Sequence, residues 1–247
     1  MQNIVSLEAN LLQVKARIAD AAIRAGRSPE EICLVAVTKT FPPTTILEAL
    51  QLGQHHFGEN RAEEGAAKIP QIVQTQPQPL PVWHMIGHIQ RRKAPLVVEH
   101  FDYVHSLDRL TLAEKLSELA VAAHRELPVL LECNVAGEAS KYGYALQGWE
   151  TQPEVRGAFW REVTAILALP GLQVRGLMTM APIAEDPETV RPVFASLRAL
   201  RDALREAFPT AAWSQLSMGM SDDFVVAVEE GATLVRVGRA IFGPYTQ

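Results

Sequence analysis

The sequence predicts an α/β protein folded as a single (β/α)8 TIM-type barrel, with an extra N-terminal helix and one domain spanning residues 1–247. Three observations predict it. Short apolar runs alternate with amphipathic helical stretches, the pattern of parallel strands joined by right-handed crossovers. Eight such runs occur, seven of them followed by a helix of reasonable length, and eight units close a barrel. The GxGxxG turn of the rival doubly wound open sheet is missing, and no Gly/Ser-rich linker divides the chain.

The elements follow in order. Residues 3–25 carry Ile4, Leu7, Leu11, Leu12, Val14, Ile18 and Ala22 at helical spacing, and Gly26 ends that helix. The first strand is ICLVAVT (32–38), followed by a helix over 42–53 that opens on prolines and threonines. HHFG (55–58) is a weak strand and 59–69 a helix; the proline- and glutamine-rich segment 70–81 reads as a surface loop. PVWHMIG (81–87) is the third strand, and the helix over 89–100 is interrupted by Pro95. DYVHSL (102–107) precedes a helix over 108–125 with Asp108 as its N-cap. PVLLECNV (128–135), a long loop (136–153) and a helix (154–169) follow. LQVRGLMTM (172–180) leads to the charged helix 187–208, a solvated barrel helix packing its apolar stripe on the sheet. WSQLSMG (213–219), a short helix over 221–231 and TLVRVG (233–238) complete the set.

Composition narrows the function. About half of the residues are hydrophobic, enough for a sizeable core, and the net charge of −5 gives no support for a nucleic-acid or acidic-membrane binder. Cys33 and Cys133 sit in separate apolar runs without a partner motif, so a reducing cytoplasm is expected rather than a disulfide scaffold. The N-terminal stretch is charged throughout and does not read as a signal peptide, and no run of about 18 apolar residues marks a membrane span. His84 and His88 straddle a strand exit with no third ligand, so no metal site is expected; His55, His56 and His100 read as surface or packing residues.

A barrel of this kind works at the C-terminal ends of its strands. Lys39 stands directly after the first strand. Desolvation disfavours an ammonium cation, and a neutral amine can hold an aldehyde as a Schiff base. A salt-bridged or snorkelling lysine at a strand end is the plainer alternative. The loops after strands seven and eight, SMGMSDD and RVGRAIFG, carry the glycines and serine that barrels use for phosphate. Ser221 is placed there as N-cap of helix 221–231, serving either the helix alone or an anion; Asp222 and Asp223 oppose an anion unless turned outward. Alternation puts Leu234, Arg236 and Gly238 on one strand face, so Arg236 points into the barrel mouth and needs an acceptor there. Pyridoxal 5'-phosphate offers an aldehyde for the lysine, a phosphate for the loops and a ring nitrogen for the arginine. Lys141, in a top-face loop, is a competing amine that a long loop holds less dry.

Seven segments, LVAVTKTFP, FGENRAEEG, WHMIGHIQRRK, NVAGEASKYG, RGLMTMAP, LSMGMSDDF and VRVGRAIFG, in that order and spacing, resemble the pyridoxal phosphate homeostasis protein family, also called the YggS/PROSC family. The resemblance implies a lone barrel similar to the alanine racemase N-terminal domain (fold-type III). It also implies that the protein binds pyridoxal phosphate, acts in vitamin B6 and amino-acid homeostasis, and lacks robust turnover. It assigns Lys39 as the Schiff-base lysine, Ser221 with the backbone of Gly238 and Arg239 as the phosphate cradle, and Arg236 as the ring-nitrogen arginine. Asn60 is carried over as a ring-pocket residue and His84 as its neighbour. No residue is assigned as catalytic. Two departures stand out: Gln90–Lys93 reads QRRK where the family often has QSNK, and Arg239 replaces a threonine, keeping its N–H and adding a guanidinium able to reach the phosphate. The family resemblance implies a monomer, with apo forms of pyridoxal phosphate enzymes as recipients.

The rival reading is a pyridoxal phosphate-dependent amino-acid racemase or other weak enzyme. A racemase needs proton-transfer groups on both faces of the α-carbon. Of Tyr103, Tyr142, Tyr144 and Tyr245, none has an obvious claim unless the 136–153 loop folds over the mouth. An arginine at the ring nitrogen leaves it largely unprotonated and weakens the ring as an electron sink. A phosphosugar lyase using Lys39 directly on its substrate is a third possibility.

Overall fold

The computed structural model describes residues 6–75 and 79–244. Strands β1 (Cys33–Val37), β2 (His56–Glu59), β3 (Val82–Met85), β4 (Tyr103–Leu107), β5 (Leu127–Asn134), β7 (Leu172–Met178), β8 (Gln215–Ser217) and β9 (Leu234–Val237) pair in parallel. The β1–β9 and β4–β5 pairings close them into an eight-stranded barrel. The short strand β6 (Tyr144–Ala145) pairs with the end of β5 outside that ring.

Helices sheathe the barrel: α1 (Leu7–Arg24), α2 (Pro43–Gln51), α3 (Ala62–Thr75), α4 (Ala94–His100), α5 (Leu110–Ala122), α6 (Pro153–Leu167), α7 (Arg191–Ala207), α8 (Phe224–Glu229) and α9 (Arg239–Phe242). The main core lies between helices and strands, where residues such as Ile46, Phe57, Phe101, Leu112 and Phe194 are fully enclosed. The barrel's own apolar interior is small, a cluster of Val35, Leu130, Met178 and Leu234. Beside it His84, His105, Ser217 and Arg236 form a buried, hydrogen-bonded polar cluster.

The extra helix α1 does local work. Ser6 caps it, its Oγ accepting from Ala9 N at 3.2 Å. Its buried stripe, Leu11, Val14, Ile18, Ala21 and Ala22, follows helical periodicity. It packs on α8 and α9, with Asn10 Nδ2 donating to Ile241 O (2.9 Å) and Arg24 paired to Glu229 (2.8 Å). Just past it, Arg27 Nη1 donates to Val228 O and Ala232 O at 2.9 and 2.8 Å. The helix thus braces the two elements that follow the strand-eight and strand-nine exits.

Several local expectations are corrected. Segment 70–81 is helical through Thr75, with Pro70 inside α3; residues 76–78 lie outside the described residues, as do the first three of the helix expected from residue 3. Pro95 does not interrupt a helix: it stands in the first turn of α4, where its missing N–H has no intrahelical duty, and a 3-10 turn, Arg91–Lys93, precedes it. Asp108 does not cap α5, whose N-cap is Arg109; its carboxylate instead pairs with Arg109 and stands 3.0 Å from His88 Nδ1. Ser221 does not cap α8, which begins at Phe224 with Asp223 at the N-cap position.

The backbones of the β2 and β3 exits touch. A Cβ on Gly87 would lie 2.1 Å from Asn60 O. Gly87→Ala is therefore expected to force the exits apart and lower stability by about 1–3 kcal/mol, read by urea unfolding. A change within about 0.5 kcal/mol would show that the contact is soft.

Candidate functional site

A cavity of about 430 Å³ opens at the C-terminal ends of the strands. Its wall includes Lys39, Asn60, Ser221, Arg236, Gly238 and Arg239, bringing together six of the seven residues expected from the sequence. His84 is not among them. It is buried one turn of the strand pleat below Ile86, which does line the cavity, and its ring faces the barrel interior.

Lys39 follows β1 and is half-buried rather than fully dry. The residues on either side of it are clamped. Thr38 N donates to Gly58 O at 3.0 Å, and Thr38 Oγ1 donates to Glu59 Oε1 at 2.7 Å. Lys68 Nζ donates to Thr38 O (2.9 Å), Glu59 Oε1 (3.1 Å) and Glu64 Oε1 (2.6 Å). Glu64 Oε1 also accepts from Thr40 N, which holds Thr40 at a left-handed φ of 66°. A second lysine thus fixes the turn that aims the first.

Arg236 reaches the cavity floor from β9, 4% exposed. Its Nη1 donates to Ser217 Oγ at 2.5 Å and its Nη2 to Thr179 O at 2.9 Å. Burial lowers its pKa to about 10, while Asp223 and Glu132 act the other way. Below it runs a chain that the sequence reading missed. Ser217 Oγ is 2.8 Å from His105 Nδ1, His105 Nε2 is 2.9 Å from His84 Nδ1, and His84 Nε2 is 3.0 Å from His56 Nδ1. A guanidinium can only donate, so Ser217 accepts from it and donates its own hydroxyl hydrogen bond to His105 Nδ1. Each ring then donates from Nε2 to the next. Burial, with the neighbouring histidine second, holds His84 down at about 3 and His105 well below the ordinary histidine range, so both rings are neutral at neutral pH. His84 thus supports the cavity floor from beneath, and His56, expected as a surface or packing residue, is packed half-buried at the chain's far end.

At the β8 and β9 exits, Ser221 Oγ accepts from Ala240 N at 3.3 Å, tying one exit to the other. Gly219, at φ 92°, lies against α8: a Cβ there would come within 2.6 Å of Ala227 Cβ. The acids beside the cradle are neutralised or turned away. Asp222 pairs with the Arg239 guanidinium, and Asp223 Oδ1 accepts from Met220 N at 2.6 Å.

The 136–153 loop does fold over the mouth. Asn134 Nδ2 donates to Glu138 O (2.8 Å), and Asn134 Oδ1 accepts from Gly137 N (2.9 Å). The β6 pairing closes the far side, so Lys141 and Tyr142 join the cavity wall, with Tyr142 stacked on His88 at 3.9 Å. Tyr245 lies outside the described residues. The Gln90–Lys93 segment contributes an ion pair between Lys93 and Glu63 at 2.5 Å, joining the β3 exit to α3.

Glu132 was also missed. It points inward from β5 onto the cavity wall, is 2% exposed, and its Oε2 has no hydrogen-bond partner among the described residues. Burial first, then Asp108, raises its pKa to about 7, against the opposing pull of Arg236. Among the described residues no group of three or more His, Cys, Asp or Glu is placed to hold a metal ion, and no helix is long and apolar enough to cross a membrane.

A closed parallel barrel with a strand-one lysine, a strand-nine arginine and glycine-bearing final loops defines a barrel of the alanine racemase N-terminal domain class, and that family matches residues 6–246. The chain is 40% identical over 238 residues to the pyridoxal phosphate homeostasis protein of Vibrio alginolyticus, covering 96% of this chain and 97% of that one. It is 40% identical over 236 residues to the protein of that name from Escherichia coli K12, covering 95% and 94%. The structure of PipY from Synechococcus elongatus with PLP bound superposes with a TM-score of 0.77 at 35% identity, covering 94% of this chain and 100% of PipY. An alanine racemase of Clostridium difficile shares the fold, with a TM-score of 0.69 at 16% identity; 98% of this chain covers 57% of that enzyme. The chain belongs to the pyridoxal phosphate homeostasis protein family.

Proposed function

We propose that this protein binds pyridoxal 5'-phosphate as a Schiff base on Lys39 and serves vitamin B6 and amino-acid homeostasis without strong catalysis of its own. The observation that carries the reading is the shared cavity: the strand-end amine of Lys39, one buried guanidinium and one glycine- and serine-bearing cradle face the same space. The donor set fits the group. Lys39 meets the aldehyde. The Ser221 hydroxyl and the N–H groups of Gly238 and Arg239 meet the phosphate, with Asp222 neutralised by the Arg239 side chain. Arg236 offers a donor to the ring nitrogen, and Asn60 lines the ring pocket.

When bound, this cofactor supplies an electron sink for carbanion chemistry. Arg236 works against that use. Fixed by Ser217 and Thr179, it presents a hydrogen bond rather than a proton to the ring nitrogen. The residues therefore favour holding over turnover. In this reading residues 1–247 act as one cofactor-binding domain, as a cytoplasmic monomer that takes up the cofactor reversibly and hands it to apo forms of pyridoxal phosphate enzymes. A weak amino-acid racemase is the second reading, favoured by one observation: Tyr142 and Lys141 stand on the cavity wall with Lys39.

The test is to titrate the protein with pyridoxal phosphate, follow the absorbance near ~420 nm, reduce with borohydride and map the adduct. Lys39→Ala is expected to lose the band and the adduct. An adduct that maps to Lys141 in the unsubstituted protein would overturn the assignment. Turnover of D- or L-amino acids at enzymic rates would favour the second reading.

A further inference from the structure

Glu132 has no task in the reading above. It stands on the cavity wall, almost wholly enclosed, with one carboxyl oxygen unpartnered among the described residues. A buried polar atom without a partner is uncommon in a finished interior and marks a place where something else completes the contact. The charged and titratable groups around it come from every neighbouring element: Arg236 from β9, Asp108 from the end of β4, His88 from the β3 exit, Lys39 from β1, and Lys141 from its own following loop. None of these is hydrogen-bonded to its Oε2.

The cofactor's substituents locate what meets it, on the reading proposed above. The aldehyde of pyridoxal phosphate is flanked on one side by the phosphate arm and on the other by the ring hydroxyl. With the phosphate at the β8 and β9 exits and the aldehyde at Lys39, the hydroxyl edge would face the wall formed by β2 to β5, where Asn60, His88 and Glu132 stand. That oxygen carries negative charge when ionised. A neutral carboxyl can donate to it; an ionised one can only repel it.

We propose that Glu132 ties cofactor binding to a proton, donating from its neutral carboxyl to the ring hydroxyl oxygen and opposing the anionic ligand once ionised. Two roles follow. Binding draws one proton onto the pocket, and a rise in pH loosens the hold of the pocket on its cargo. Arg236 stays charged through neutrality, and Asp108 is engaged by Arg109.

The experiment compares the pH dependence of pyridoxal phosphate affinity in the full-length protein and in Glu132→Gln, whose amide donates at every pH. Wild-type affinity is expected to fall about tenfold more than that of the variant between pH 6 and pH 8, the range set by a carboxyl titrating at about 7. Calorimetry on the wild type alone, in buffers of different ionisation enthalpy at pH 8, is expected to show uptake of about one proton on binding. This second measurement stands even if the variant does not fold. Parallel affinity profiles, or no proton uptake, overturn the role of Glu132 while leaving cofactor binding intact. Absence of any pyridoxal phosphate binding overturns both.

Discussion

Replacing Lys68 by methionine is expected to lower the unfolding free energy by about 3–5 kcal/mol, the loss that follows when one partner of a buried ion pair is removed. The Lys68 ammonium satisfies Glu59 Oε1, Glu64 Oε1 and Thr38 O at once. Glu59 is fully enclosed, and its Oε2 already lacks a partner among the described residues. Without the ammonium, Glu59 keeps only the Thr38 hydroxyl and must either remain an uncompensated buried anion or take up a proton. Burial already raises its pKa, with Lys68 the main opposing influence. The sign follows. In the variant the folded-state pKa rises further, so the penalty is full above it and fades as pH falls through it. The deficit measured by urea unfolding is thus expected to be largest near pH 8 and smaller near pH 5. Adding Glu59→Gln to the variant recovers part of the loss. A deficit under about 1 kcal/mol, the worth of an exposed pair, would show that the network is not a clamp. The same substitution releases Thr38 and Thr40 on either side of Lys39, so it is expected to weaken the covalent hold on an aldehyde without touching the amine.

That network explains why the fold was easier to read than the site. The barrel rests on period and count, which a sequence displays directly: alternating apolar runs, and a lysine and an arginine at strand ends where burial makes charge conspicuous. Alternation alone puts Arg236 inward, and the same rule applied to LLECN puts Glu132 inward on β5. Depth was harder. A strand residue two places before the exit sits about 7 Å lower, which is why His84 falls beneath the cavity while Ile86 lines it. Capping was degenerate, because Ser221, Asp222 and Asp223 are all able N-caps, and the choice of Asp223 depends on where α8 meets α1 and β9. The Lys141–Tyr142 segment was illegible as a wall because its course depends on β6 pairing with β5, a two-residue contact with no periodic signature. Lys68 reads as an ordinary helix lysine until the fold brings it beneath Thr38.

Glu132→Gln is expected to stabilise the protein at pH 8 by about 3 kcal/mol relative to wild type and to change little near pH 4.5, with no cofactor present. The carboxyl has an ordinary value of 4.5 and is raised to about 7 in the fold, chiefly by burial. Between those values the unfolded chain ionises freely while the folded chain stays protonated. The folded state binds the extra proton there, so stability falls as pH rises through the window and levels off above about 7. A difference of about 2.5 pKa units corresponds to about 3 kcal/mol. Glutamine matches the shape and cannot ionise, so its unfolding curve lacks this decline; parallel pH dependence in urea unfolding of the two proteins would remove the argument. The direction of the effect matters for function. An acid that destabilises the empty barrel at neutral pH is tolerated where a ligand completes its contact, and Glu132 stands with its free oxygen on the same wall as Lys39 and Arg236. The penalty is a property of the open pocket, and it lessens when the carboxyl is kept protonated and a bound oxygen accepts its hydrogen bond.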